Sequence, residues 1–85
     1  LRLLLLQQEI ADDVIDMLQG AMAELEIGDP KFMSTDIGPV IDEVAYQNLL
    51  AYTQHLENSP DTAQLIYRCA LKETTKEAHY IAPQL

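Results

Sequence analysis

From Glu9 to Ile27 the apolar positions recur with the period of a helix. Ile10, Val14, Leu18, Ala21, Met22 and Leu25 follow one another at spacings of three and four, and Ala11, Ile15 and Met17 widen that stripe. Asp12, Asp13, Asp16, Gln19, Ala23 and Glu24 fill the opposite side. Acids at Glu9, Asp12 and Asp13 suit the first turn, where the positive end of the helix dipole favours them. Gly28 reads as a left-handed stop for this helix, and Pro30 bars its resumption. A second helix is predicted from Asp42, a good N-cap, with Glu43 in its first turn. Its stripe is narrower (Ala45, Leu49, Tyr52, Leu56), and Asn58, Ser59 and Pro60 end it.

Outside the helices the pattern changes. Leu1–Leu6 is an apolar run broken only by Arg2, which suits a strand buried on both faces of a mainly parallel sheet; the other reading is the first turn of the helix that follows. Gln64–Leu71 reads as a strand with Leu65, Tyr67, Cys69 and Leu71 on one face. The run KETTKE breaks it, and Ala78–Ala82 is a last strand before Pro83. The predicted fold class is α/β, in the order strand–helix–loop–helix–strand–strand. The Gly28–Asp42 link organises it, with Gly28, Asp29, Pro30, Gly38, Pro39 and Asp42 as its structural residues. Ser34, Thr35 and Asp36 favour turns, and Pro39 pushes Gly38 away from the helical region.

Composition narrows the partners. The 85 residues make one domain at most, and a chain of that length buries only about 60–65% of the surface its unfolded form exposes. Acids outnumber bases by 14 to 5, for a net charge of −9, so nucleic acid and anionic membrane are poor partners. The single cysteine, Cys69, excludes an internal disulfide framework and fits a reducing compartment. No run approaches the ~20 apolar residues of a membrane span. An apolar strand at residue 1 with no Met before it predicts a piece of a longer chain.

Little chemistry is visible. Asp12, Asp13 and Asp16 share a face without His or Cys beside them and read as a solvated acidic surface. Met17 and Met22 read as core filler. His55 has no second ligand near it and reads as a surface or half-buried residue. Cys69 has only Arg68 adjacent, pointing to the other face of a strand, so it reads as a buried structural thiol. The link lacks the Gly-Lys-Ser or GxGxxG of a phosphate loop.

The wording of the first half nonetheless resembles a known family. LRLLLLQQEIADDVIDMLQGAMAELEIGDP followed by STDIGPVID is similar to a segment of the aldehyde dehydrogenase superfamily, and most to its proline-catabolic branch. That branch is the L-glutamate-γ-semialdehyde (1-pyrroline-5-carboxylate) dehydrogenase half of proline utilisation A. The resemblance is strong from Leu1 to about Asn48, fades after His55 and returns weakly at Tyr80-Ile81-Ala82-Pro83. It implies a parent in which a thiolate attacks the aldehyde, hydride passes to NAD and a Glu-activated water frees glutamate. FAD is implied as well if a proline dehydrogenase half is fused. The family's catalytic Cys would lie just before Leu1-Arg2, with the general-base Glu and NAD-binding region further upstream and the substrate-carboxylate loop downstream. The resemblance therefore assigns no catalytic, cofactor-binding or metal-binding residue to this chain. It implies a wall behind the chemistry, with the rest of the catalytic domain as partner, a homo-oligomer open, and a cytoplasmic setting. The rival expectation is a small acidic, non-enzymatic module pairing through its N-terminal strand.

Overall fold

The first helix is realised over a shorter span than its pattern suggests. In the computed structural model, which describes residues 3–75 and 78–85, helix α1 runs Gln8–Ala23 and ends at a C-cap, Glu24, with φ −85° and ψ −8°. The helix-forming run Glu24–Ile27 is drawn off by another partner. The Glu26 N–H donates to Asp36 Oδ2 at 2.9 Å, and the Glu26 carbonyl accepts from the N–H groups of Asp36 and Ile37. The Gly28 N–H donates to the Ile37 carbonyl at 3.0 Å, so Ile27 and Ile37 form a parallel bridge. Three backbone–backbone bonds to 36–37, with the one to the Asp36 carboxylate, thus outcompete continuation of the helix. Gly28 is not a left-handed stop: no glycine among the described residues has a positive φ.

Helix α2, Glu43–Glu57, starts and stops where its flanking residues lead one to expect. Asp42 is extended, and its Oδ1 accepts the Ala45 N–H at 2.8 Å. Asn58 closes the helix, and Ser59 caps it twice, through its N–H to the Leu56 carbonyl and its Oγ to the His55 carbonyl. Asp42→Ala should cost about 0.5–2 kcal/mol, read as a lower unfolding midpoint of the longer protein. No change in midpoint would contradict the cap.

The face that α2 turns inward is displaced from the predicted stripe. Ala45, Tyr46, Leu50 and Thr53 are half-buried, whereas Leu49, Tyr52 and Leu56 are exposed. On α1, Val14, Ile15, Leu18 and Met22 are half-buried, but Ile10 and Met17 are exposed, so Met17 fills no core here.

The predicted strands are not found among the described residues. Leu3–Leu6 carries no regular structure, Leu1 and Arg2 lie outside the described residues, 78–82 carries no strand or bridge, and 64–71 forms only one antiparallel bridge, Arg68 with Gln84 beyond the predicted last strand. The strand–helix order of the predicted α/β class therefore reduces to two α-helices, a 3₁₀ turn at Glu73–Thr75 and two isolated bridges. The reason is physical. A strand buried on both faces needs neighbours on both edges, and no described residue supplies one beside Leu3–Leu6.

A small core joins the end of α1 to the C-terminal third. Ile27, Cys69 and Tyr80 are buried, with Met22, Leu25, Ile37 and Tyr67 packed around them, and Thr75 is buried beside its own bond to the Lys72 carbonyl. The two helices do not pack on each other. The accessible surface is 7030 Å², where a self-contained protein of this mass exposes about 5100 Å². The radius of gyration is 14.3 Å, against about 12 Å for a compact domain of this length. Both differences have one sign: this is a layer with surface left for something else to cover.

Candidate functional site

The link between the helices is the most tightly organised loop. Asp29 braces it from one end: Oδ1 accepts the Lys31 N–H at 2.9 Å, Oδ2 meets Lys31 Nζ at 2.8 Å, and its carbonyl accepts both Thr35 Oγ1 and the Phe32 N–H. The Lys31 ammonium, with its backbone N–H, holds the Asp29 carboxyl below its ordinary value, and the carboxylate in turn raises the ammonium. A β-carbon added to Gly38 would meet the Pro30 ring at 3.6–3.8 Å, so the two Gly/Pro pairs lie near each other. From there Val40 N–H donates to the His79 carbonyl at 2.8 Å, fastening the link to the C-terminal segment.

A β-carbon on Gly28 would sit 3.5 Å from Thr35 Oγ1, an ordinary contact. Gly28→Ala should therefore leave stability unchanged or raise it by up to about 1 kcal/mol, by narrowing the unfolded ensemble. A melting curve shifted down by more than the error would restore a special conformation at Gly28.

An open hollow of about 620 Å³ lies between this link and the 3₁₀ turn, with Glu26, Asp29, Thr35, Lys72, Thr75 and Tyr80 on its walls. Its charged groups are spoken for: Lys72 pairs with Glu26, and Asp29 with Lys31. No buried side-chain polar atom among the described residues lacks a partner. The hollow holds no poised acid, base or nucleophile.

The remaining candidates stay apart. Cys69 is 5% exposed and its Sγ donates to the Met22 carbonyl at 3.4 Å, as a structural thiol does. Asp12, Asp13 and Asp16 are exposed along α1, and His55 is exposed on α2. No group of three or more His, Cys, Asp or Glu among the described residues is placed to hold a metal ion. One contact had no sequence signal. His79 Nε2 lies 2.8 Å from Glu43 Oε2, and its ring sits 5.6 Å from that of Tyr46, which ties the C-terminal segment to the first turn of α2. Two residues so far apart in the chain share no periodicity that would pair them.

This arrangement of a long helix, a braced Gly/Pro link and an acid-capped helix is that of a known enzyme class. The aldehyde dehydrogenase family model matches residues 1–85, and the chain belongs to that family. Within it, the chain is similar to the bifunctional protein PutA of Escherichia coli (strain K12), 38% identical over 91 aligned residues that cover 100% of the chain and 7% of the relative. The crystal structure of a proline utilization A (PutA) variant from Bradyrhizobium japonicum matches with a TM-score of 0.78 at 36% identity, over 92% of this chain and 7% of that one. A 1-pyrroline-5-carboxylate dehydrogenase of Geobacillus sp. (strain WCH70) is 34% identical over 47 residues, 55% of this chain and 9% of the relative. The resemblance to the 1-pyrroline-5-carboxylate dehydrogenase half of proline utilisation A thus holds, and it extends past His55, where the motifs fade. The chain spans less than a tenth of the length of the two PutA relatives.

The family implies a nicotinamide dinucleotide, and the residues here do not fit one. A pyrophosphate seeks a glycine-rich turn and free N–H groups at a helix start. Leu5-Leu6-Gln7 precedes α1, and at α2 the Asp42 carboxylate already takes the Ala45 N–H and repels an anion.

Proposed function

We propose that the chain is a scaffold segment of an NAD-dependent aldehyde dehydrogenase of proline catabolism, a cytoplasmic enzyme that oxidises L-glutamate γ-semialdehyde to glutamate. The observation that carries this reading is the 38% identity to the E. coli bifunctional protein PutA over the whole chain. The name of the Geobacillus relative, 1-pyrroline-5-carboxylate dehydrogenase, supports the substrate. On this reading the nucleophile, the base and the dinucleotide fold belong to other parts of the catalytic domain. FAD is present if a proline dehydrogenase half is fused to it. Gly28, Asp29, Pro30, Gly38, Pro39 and Asp42 then act by holding the link in shape rather than by touching substrate.

The test is NADH formation by the longer protein that contains these residues. L-glutamate γ-semialdehyde should be oxidised in preference to aldehydes of similar length without a carboxylate. No NADH with any aldehyde would overturn the enzyme reading, and equal rates with both kinds would overturn the substrate.

A further inference from the structure

The tip of the link stands clear of the rest of the fold. Residues 30–34 are all exposed, between half-buried Asp29 and Thr35. Two successive turns throw them outward: the Phe32 N–H donates to the Asp29 carbonyl at 3.1 Å, and the Thr35 N–H to the Phe32 carbonyl at 3.0 Å. Met33 sits on the second turn, and at 103% its side chain is the most exposed large apolar one among the described residues. The bonds that brace the link run through Asp29, Lys31, Phe32 and Thr35, and none of them uses Met33.

The chain's other sulfur atoms belong to Met17, Met22 and Cys69. Met22 is half-buried against the core, and Cys69 is 5% exposed with its Sγ turned to the Met22 carbonyl. Met17 is exposed on α1, but less so than Met33. The fold thus hides its thiol and holds one thioether out on a polar loop.

We propose that Met33 is a site of reversible oxidation, at which a peroxide converts the thioether to the sulfoxide. A thioether is soft and polarisable, and oxidants reach it according to its exposure. The sulfur lone pair attacks one peroxide oxygen, so an S–O bond forms as the O–O bond breaks. Sulfur gives up two electrons, and the other oxygen leaves as water, carrying the proton of the first. The new polar group costs no packing at Met33, because a fully exposed side chain has none to lose. At Met22 the same oxygen would enter the core.

The tip stays open in the longer protein for an electrostatic reason. Lys31 and Asp29 pair at 2.8 Å with side chains 76% and 40% exposed. A body laid over Met33 would strip water from that pair, at a cost that mutual attraction repays only with further partners.

Peptide mass spectrometry on the longer protein, after brief treatment with hydrogen peroxide, tests this. In the folded protein, sulfoxide should form at Met33 at least about tenfold faster than at Met22. A smaller ratio overturns the proposal, since the tip would then be no more open than the core. Methionine sulfoxide reductases, with a thiol as reductant, should return Met33 to the thioether without unfolding the protein. Repair that proceeds only on unfolded protein overturns reversibility at this site. Both readouts are masses, independent of turnover, so they stand whether or not the protein oxidises an aldehyde.

Discussion

Tyr80→Ala should destabilise the C-terminal third by about 3–5 kcal/mol, the range for deleting a buried aromatic side chain. Tyr80 is 9% exposed and is the largest side chain of a core that, among the described residues, holds two other buried apolar residues, Ile27 and Cys69. A core so small has nothing with which to refill the cavity, so relaxation offsets little of the loss. The amides of Cys69 and Val40, bonded to Pro83 and His79, report on the segment that Tyr80 anchors. Their exchange in the longer protein should accelerate by a factor of 100 or more, in line with about 3 kcal/mol or more of lost opening free energy. Acceleration below about fivefold, roughly 1 kcal/mol, would show that the core is held from elsewhere.

Ile27→Ala should cost about 2–5 kcal/mol, and it should act on the other side of the same core. Ile27 is 3% exposed, and its neighbours Glu26 and Gly28 carry the backbone bonds to 36–37. The substitution leaves those bonds in place and removes only the side chain, so the loss is one of packing. Exchange of the Gly28 and Ile37 amides should report it. Because Ile27 and Tyr80 belong to one cluster, the double variant should depart from the sum of the two single losses by about 0.5 kcal/mol or more. Additivity within error would place them in separate cores.

The helices were legible in the sequence to the extent that their determinants are local. Asp42 as N-cap and Asn58-Ser59-Pro60 as terminator bound α2, because capping is settled within one turn of chain. The end of α1 was not legible. Glu24–Ile27 are good helix formers, and their capture by Asp36 and Ile37 is a non-local event. For the same reason Gly28, which looks like a stop signal next to Pro30, turns out to be a bridge neighbour with an ordinary φ.

Periodicity alone also misplaced the buried face of α2. The stripe Ala45, Leu49, Tyr52 and Leu56 is the more apolar one, yet the described residues pack on Ala45, Tyr46, Leu50 and Thr53. Tyr46 is drawn inward by the His79 ring, a partner no helical pattern announces. The strands predicted at Leu1–Leu6 and Gln64–Leu71 are not confirmed over their described residues, because a strand needs paired neighbours and the described residues give 64–71 a single bridge and Leu3–Leu6 none. Of the residues weighed for chemistry, Cys69 is buried against the Met22 carbonyl, whereas His55, Asp12, Asp13 and Asp16 are exposed.

On the proposed function this segment supplies shape and other residues of the protein react. Steady-state oxidation of L-glutamate γ-semialdehyde by the longer protein carrying Cys69→Ser tests that separation most directly. The serine hydroxyl can keep the bond to the Met22 carbonyl in a pocket of almost the same size. The account expects NADH formation to persist within about twofold of the unsubstituted protein, since a thiol deep in the core takes no part in the reaction. Loss of turnover by several orders of magnitude, in a variant that still folds, would make Cys69 the nucleophile and contradict it.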